Sequence, residues 1–239
     1  MVNFLCFNRD TKDKMATGDT PDKSQSFNTS AAPPASEVTR FFKAVQSNDS
    51  GGLLPVLMAW PRDATKWKNA DGLTGLMLAA QAGHKEVSWL LIHASKEDLE
   101  IGNQNNSTAL MFASHFGKAS VVAMLLEAGA NVNHANVNGH TALISAAANG
   151  FKNTTEQLLK YTADTTLTDL KGDNALAYAR ENNNPEIAAM IEKAAAAQAE
   201  AKAKAAPPAK PEHLSPVWDD NSEAIEALRK EMVKAKLAK

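Results

Sequence analysis

The sequence predicts an all-α solenoid of short helix pairs, with an N-terminal arm before it and a C-terminal helical tail after it. Three observations predict this. A residue pattern recurs at 33 or 34 positions through the middle of the 239-residue chain. Alanine supplies 43 residues, against 14 aromatics (8 Phe, 4 Trp and 2 Tyr). Alanine favours helix, whereas β-branched and aromatic residues favour strands. The two ends also differ in composition from the middle, being rich in Ser, Thr and Pro at the start and in Ala, Lys and Pro near the finish.

The elements follow in chain order. Residues 1–36 combine Thr17-Gly18-Asp19, Pro21, the Ser24–Ser30 cluster and Pro33-Pro34, with four basic residues balanced by four acidic ones. That composition reads as a disordered arm. Residues 37–193 form the repeat block. It has 13 basic and 16 acidic side chains. A divergent unit, 37–68, places Phe41, Phe42, Ala44 and Val45 on one helix and Leu53 to Trp60 on the next. Pro55 is expected in the early turn of that second helix.

Four regular units follow, at about 69–102, 103–135, 136–168 and 169–193. Their anchors are Thr74, Thr108, Thr141 and Asn174, spaced by 34, 33 and 33. Leu76, Leu110, Leu143 and Leu176 keep that spacing. So do Ala79, Ala113, Ala146 and Ala179, and so do Gly83, Gly117, Gly150 and Asn183. Each column has a physical reason. Thr or Asn caps the free N–H groups of a helix start. Leu is buried against the next unit. Ala lets helices approach closely. Gly or Asn accepts the left-handed conformation that ends a helix. Val87, Leu90 and Leu91, echoed by Val121, Met124, Leu125 and Leu126, mark the second helix of a unit by 3–4 spacing. Ala128-Gly-Ala-Asn-Val-Asn133 then stops that helix and starts an extended arm. Asn138-Gly139 and Lys171-Gly172 are turn signals at arm tips.

Residues 194–221 read as an Ala/Pro-rich linker, helix-prone up to Ala206 and broken by Pro207, Pro208 and Pro211. Residues 222–239 read as an amphipathic helix. Ile225, Leu228, Met232 and Ala235 form one stripe, Glu226 and Lys230 an i,i+4 pair, and Asp220 with Glu223 a capping box.

Motif and period together resemble the ankyrin repeat family, whose unit is a helix–turn–helix followed by a hairpin-like loop, about 33 residues in all. The match is closest in Ala128-Gly-Ala-Asn-Val-Asn133 and Asn138-Gly-His-Thr-Ala-Leu143. One column departs. The family's Thr-Pro-Leu-His stands here as Thr74-Gly-Leu-Met, Thr108-Ala-Leu-Met, Thr141-Ala-Leu-Ile and Asn174-Ala-Leu-Ala. The resemblance implies that losing this His removes a bond tying the loops together, so looser arms are expected. His84 falls at the family's Gly-His position, where a structural role is expected.

Several function classes are excluded on residue grounds. No Gly-x-Ser-x-Gly elbow is present, and Gly51-Gly52 lacks the Gly-Lys-Ser/Thr of a phosphate loop. No enzyme activity and no cofactor is expected. The single cysteine, Cys6, leaves no disulfide framework and no Cys-rich zinc site, and points to a reducing, cytoplasmic setting. His115, His134 and His140 fall near consecutive hairpins, but their spacing is no metal signature. A net charge of −2 and scattered lysines argue against nucleic acid. The longest apolar stretch near the start is Phe4 to Phe7, too short for a signal or a membrane span.

A non-enzymatic protein-binding module remains: a scaffold, adaptor or inhibitor, expected to be a monomer. A folded stack docks with little loss of ordering entropy. By resemblance, the variable positions on the concave hairpin and inner-helix strip are Asp71, Leu73, Gln81 and Ala82 in the first regular unit. The second supplies Asn105, Ser107, His115 and Phe116, and the third Val137, Asn138, His140 and Asn149. The last supplies Leu170, Lys171, Asp173, Glu181 and Asn182. Phe116 is the leading hot-spot candidate. Leu73, Val137 and Leu170 either meet a partner or pack on neighbouring tips. Trp218, Ile225, Leu228 and Met232 offer a second contact, either folded back as a cap or presented to another protein. Two further readings share these features: a secreted bacterial or viral effector that binds a host protein, and a regulatory subunit that inserts its C-terminal helix into an enzyme.

Overall fold

A computed structural model describes residues 33–60 and 63–205. Among them the chain makes five helix pairs and no strand. The pairs are α1 (Ala35–Gln46) with α2 (Ser50–Ala59), α3 (Gly75–Ala82) with α4 (Lys85–Ala94), and α5 (Ala109–His115) with α6 (Ala119–Glu127). Then come α7 (Ala142–Ala148) with α8 (Lys152–Lys160), and α9 (Ala175–Glu181) with α10 (Pro185–Ala205). Odd-numbered helices pack in order as an inner row, and even-numbered helices pack in order as an outer row. One continuous apolar core runs between the rows.

The alanine column explains the close spacing of the rows. Ala44, Ala79, Ala113, Ala146 and Ala179 are all buried. In each, the carbonyl accepts a bond from the N–H five residues on: from Asp49 (2.9 Å), His84 (3.0 Å), Lys118 (2.8 Å), Phe151 (3.0 Å) and Asn184 (2.8 Å). This 6→1 bond closes each inner helix around a left-handed residue. That residue is Gly83, Gly117 or Gly150 in the three middle units, and Asn48 or Asn183 at the two ends. The divergent first unit therefore ends its inner helix as the others do.

Helix starts follow the Thr/Asn column in three units. Thr74 accepts from the Met77 N–H (3.3 Å), Thr141 from Ile144 (3.3 Å) and Asn174 from Ala177 (3.0 Å). Thr108 departs from the expectation: its hydroxyl caps nothing and is buried without a partner. Nothing in the structure explains that exception.

Two boundaries differ from the sequence reading. Helix α2 starts at Ser50, capped by the Asp49 carboxylate on the Gly52 N–H, so Pro55 is its sixth residue rather than part of its first turn. Helix α10 crosses the expected edge of the repeat block at 193 and runs on through the helix-prone stretch to Ala205. No breaker precedes Pro207, and Ala, Lys, Glu and Gln all sustain a helix. Gln198 ties the extension down. Its amide donates to the Ala163 carbonyl (2.7 Å), and its oxygen accepts from Thr165 Oγ1 (3.0 Å). The arm before 33 and the tail beyond 205 lie outside the described residues.

The first unit fills its core with rings. Phe41 meets Trp67 edge-on at 5.4 Å and Phe42 at 5.1 Å. A β-carbon on Gly75 would sit 2.5 Å from the Phe41 ring, so the ring packs directly on backbone there.

Candidate functional site

The face formed by the hairpin tips and the inner helices is built from one repeated device. Five residues before each helix anchor stands Asn69, Asn103, Asn136 or Asp169. In each, the side-chain Oδ1 accepts the N–H groups two and four residues on. Asn69 takes Asp71 and Leu73, and Asn103 takes Asn105 and Ser107. Asn136 takes Asn138 and His140, and Asp169 takes Lys171 and Asp173, all eight bonds lying between 2.9 and 3.1 Å. The main-chain N–H of each also bonds the carbonyl four residues on, which closes the loop. These Asx turns fix the tip without the family's histidine.

Neighbouring tips are then tied together. The Val137 N–H donates to the Asn105 carbonyl and the Leu170 N–H to the Asn138 carbonyl, both at 3.0 Å. His134 Nε2 adds a bond to the Asn106 carbonyl (2.9 Å). The looser arms implied by the missing histidine are therefore replaced by arms pinned through another set of bonds.

Between the second and third regular units this face holds a hollow of about 170 Å³. Met111 and Phe112 supply its apolar floor beside Ser145, and Ser107, Asn136, His115, Phe116 and His140 line the rest. Asn136 Nδ2 donates to Ser107 Oγ (3.1 Å), and Asn149 Nδ2 lies 3.3 Å from His115 Nδ1. The His115 and Phe116 rings meet edge-on at 5.0 Å. Phe116 is 40% exposed although α5 ends on it.

On the far side of His140 lies a buried carboxylate. Asp169 Oδ2 accepts from Tyr178 Oη at 2.7 Å, and His140 Nε2 is 3.3 Å from the same oxygen. The phenol bond holds the Asp169 carboxyl down at about 2, helped by the Asp173 and Lys171 N–H groups and by His140, against the opposing effect of burial. The same bond, reinforced by burial, pushes the Tyr178 phenol up to about 12. His140 is thereby held edge-on to the Tyr178 ring at 5.7 Å, with its outer edge toward the hollow.

Every expected contact residue within the described part reaches the surface. Asp71, Asn105, His115, Phe116, Val137, Asn138, Asn149, Leu170, Lys171, Glu181 and Asn182 are exposed. Leu73, Gln81, Ser107, His140 and Asp173 are half-buried. The hollow gathers Ser107, His115, Phe116 and His140, with Asn149 attached through His115. Asp71, Leu73 and Gln81 do not line it, nor do Leu170, Lys171, Asp173, Glu181 and Asn182; they belong to the units on either side. Leu73 packs against the core, whereas Val137 (57%) and Leu170 (78%) stand out from it. Trp218, Ile225, Leu228 and Met232 lie outside the described residues.

Sequence reasoning missed Asn136, Met111, Phe112, Ser145 and Tyr178. The Asn69/Asn103/Asn136/Asp169 column keeps the same 34, 33, 33 spacing as the anchors, so that signal was present. His115 and His140 share the hollow, but His84 and His134 do not join them. His84 Nε2 pairs with the Gln46 carbonyl (3.2 Å), and His134 with Asn106 and Glu100. Among the described residues no three His, Cys, Asp or Glu side chains are placed to hold a metal ion.

A repeated helix pair, a tied row of hairpin tips and a hollowed inner face define a helical repeat solenoid. The model of a family described as ankyrin repeats (3 copies) matches residues 41–136 and 131–202. The chain belongs to the ankyrin repeat family, whose members are typically non-enzymatic protein-binding modules. The match starts at Phe41, inside the divergent first unit. Among the described residues no helix is long and apolar enough to cross a membrane.

Proposed function

We propose that this chain binds its protein partner on the tip and inner-helix face, centred on the hollow between Phe116 and His140. The single observation behind this reading is that four expected contact residues from two units line one preformed hollow with an apolar floor. A partner's apolar or aromatic side chain enters it. Met111 and Phe112 supply the apolar contact, and Ser107, Asn136 and His140 offer polar groups at the rim. Val137 and Leu170 extend the contact along the tips, where their exposed side chains follow one another on consecutive hairpins. The Asx bonds already fix the backbone, so little ordering is needed on association. The chain acts as a scaffold, adaptor or inhibitor through this contact.

The test is quantitative co-purification from the native cell with the full chain, Phe116→Ala, His140→Ala and Glu156→Ala, followed by binding measurements on the purified partner. Phe116→Ala should weaken binding by about 2 kcal/mol, roughly thirtyfold in Kd. Glu156→Ala, exposed on the outer helix α8, should leave it unchanged. A partner retained equally by Phe116→Ala and His140→Ala would overturn the assignment.

A further inference from the structure

Six large apolar side chains are exposed among the described residues, and they divide between two faces. Phe116, Val137 and Leu170 belong to the tip and inner-helix face. Leu54 (47%), Met58 (75%) and Trp89 (51%) stand on the outer helices α2 and α4. Leu54 and Met58 are one turn apart and share a helix face. Trp89 is held in place from its own helix: His93 stacks on the indole at 4.1 Å and bonds the Trp89 carbonyl at 2.8 Å.

Leu54 and Trp89 border a groove. On one side of Trp89 an apolar hollow of about 560 Å³ is lined by Leu54, Leu90 and Met124, with Lys85 and Glu86 at its end. On the other side a smaller hollow of about 190 Å³ continues past Ile92 to Lys96 and Glu127. The groove therefore follows the length of α4, whose ten residues span about 15 Å. The larger hollow, apolar and bordered by an exposed indole, is more than ordinary surface scatter.

We propose that this groove is the docking site of the chain's own C-terminal segment, residues 222–239, seated through Ile225, Leu228 and Met232. Three observations select this occupant. The stripe from Ile225 to Ala235 is eleven residues, ten helical rises or again about 15 Å as a helix, which matches the groove in length. The segment carries five basic and three acidic side chains, whereas the 37–193 block carries 13 basic and 16 acidic, so the overall charges are opposite. The tether also reaches. Helix α10 belongs to the same outer row as α4, three helix spacings away, or roughly 30 Å at 8–10 Å per spacing. Its C-terminal end adds up to roughly 30 Å along the helix axis. Nineteen residues lie between Ala205 and Ile225, and the twenty steps from one to the other extend to roughly 66 Å. An amphipathic helix laid in an apolar groove is an ordinary recognition mode.

Hydrogen–deuterium exchange on the full chain, with Trp89→Glu and Leu54→Glu, tests the proposal. Both substituted side chains are about half exposed, so the stack should survive, and protection of 142–148 reports that it has. In the parent chain, amides of 225–235 should exchange at least roughly tenfold more slowly than in either variant. The slowing should not depend on protein concentration. Equal exchange of 225–235 in parent and variants would overturn the proposal. So would protection that rises with concentration, which assigns the groove to a second copy, or protection of residues 4–7 in place of 225–235.

Discussion

Tyr178 Oη donates a 2.7 Å hydrogen bond to Asp169 Oδ2, and through it the fourth hairpin is joined to α9. The other carboxylate oxygen holds the Asx turn through the Lys171 and Asp173 N–H groups. Asp169 is thus the charged version of Asn69, Asn103 and Asn136, with a phenol added.

Tyr178→Phe removes the strongest influence on the Asp169 carboxyl. Its midpoint should rise from about 2 toward the ordinary 3.8, because the turn N–H groups and His140 remain to hold part of the depression. Carboxylate-detected NMR titration of parent and variant measures it. In the parent, one of the chain's two tyrosines should ionise near 12 in an ultraviolet titration, and that signal should vanish in the variant.

Acid sensitivity should depend on the same residue. The folded-state value of Asp169 lies below its ordinary 3.8, so the charged form stabilises the fold above pH 3.8. That contribution is lost as pH falls from 3.8 through about 2. Asp169→Asn keeps an oxygen for the Asx turn but has nothing to protonate. The gap in unfolding stability between about pH 6 and about pH 2 should therefore be smaller in Asp169→Asn than in the parent, measured by urea denaturation at both pH values.

Stacking of the tips can be separated from their backbone conformation by two glycines. Gly139 and Gly172 occupy the same left-handed position, at φ of +76° and +89°. A β-carbon on Gly139 would lie 2.9 Å from the Asp169 Cα, whereas one on Gly172 would meet nothing within 4 Å. Gly172→Ala should cost about 1–2 kcal/mol from conformation alone. Gly139→Ala should cost about 1–3 kcal/mol more, because the next hairpin has to move. Chemical denaturation of both variants gives the difference, and equal losses would show that the tips yield freely.

The repeat period, the helix pairs and their stop signals were legible because each column answers one local requirement that recurs in every unit. The first unit was harder. Its Ala44 and Asn48 do the work of Ala79 and Gly83 at a spacing of 35, but Asn is a weaker mark of a left-handed residue than Gly. The end of α10 at Ala205 follows the helix-prone stretch that Pro207 breaks, but the sequence did not show that the stack holds this stretch, which Gln198 does through Ala163 and Thr165. The hollow beside Phe116 was legible as a strip of surface positions but not as a cavity. Its floor, Met111 and Phe112, comes from α5 itself, in residues that helical spacing assigns simply to packing. The Asp169–Tyr178 bond joins residues nine apart with no repeat counterpart, so no column could announce it.

One departure from the chain's own repeat pattern carries its own test. Where the other regular units have Ala109, Ala142 and Ala175 at the first position of the inner helix, the first has Gly75. Helix propensity alone makes Gly75→Ala favourable by about 1 kcal/mol. The fully buried Phe41 ring opposes it, with Cζ at 2.5 Å and Cε1 at 2.6 Å from the new methyl group. Overpacking of a closed core costs about 1–3 kcal/mol, so the single variant should be neutral to less stable despite its better helix. Phe41→Leu alone should also destabilise, by removing ring contacts to Phe42 and Trp67. The two together should be more stable than the sum of the separate losses predicts, since the smaller side chain leaves room for the methyl group. A double-mutant cycle by urea denaturation measures that coupling, expected at about 1 kcal/mol or more. Strict additivity would mean that Gly75 is not there to admit Phe41. Positive coupling would show that the divergent first unit and the first regular unit are fitted to each other, ring against backbone.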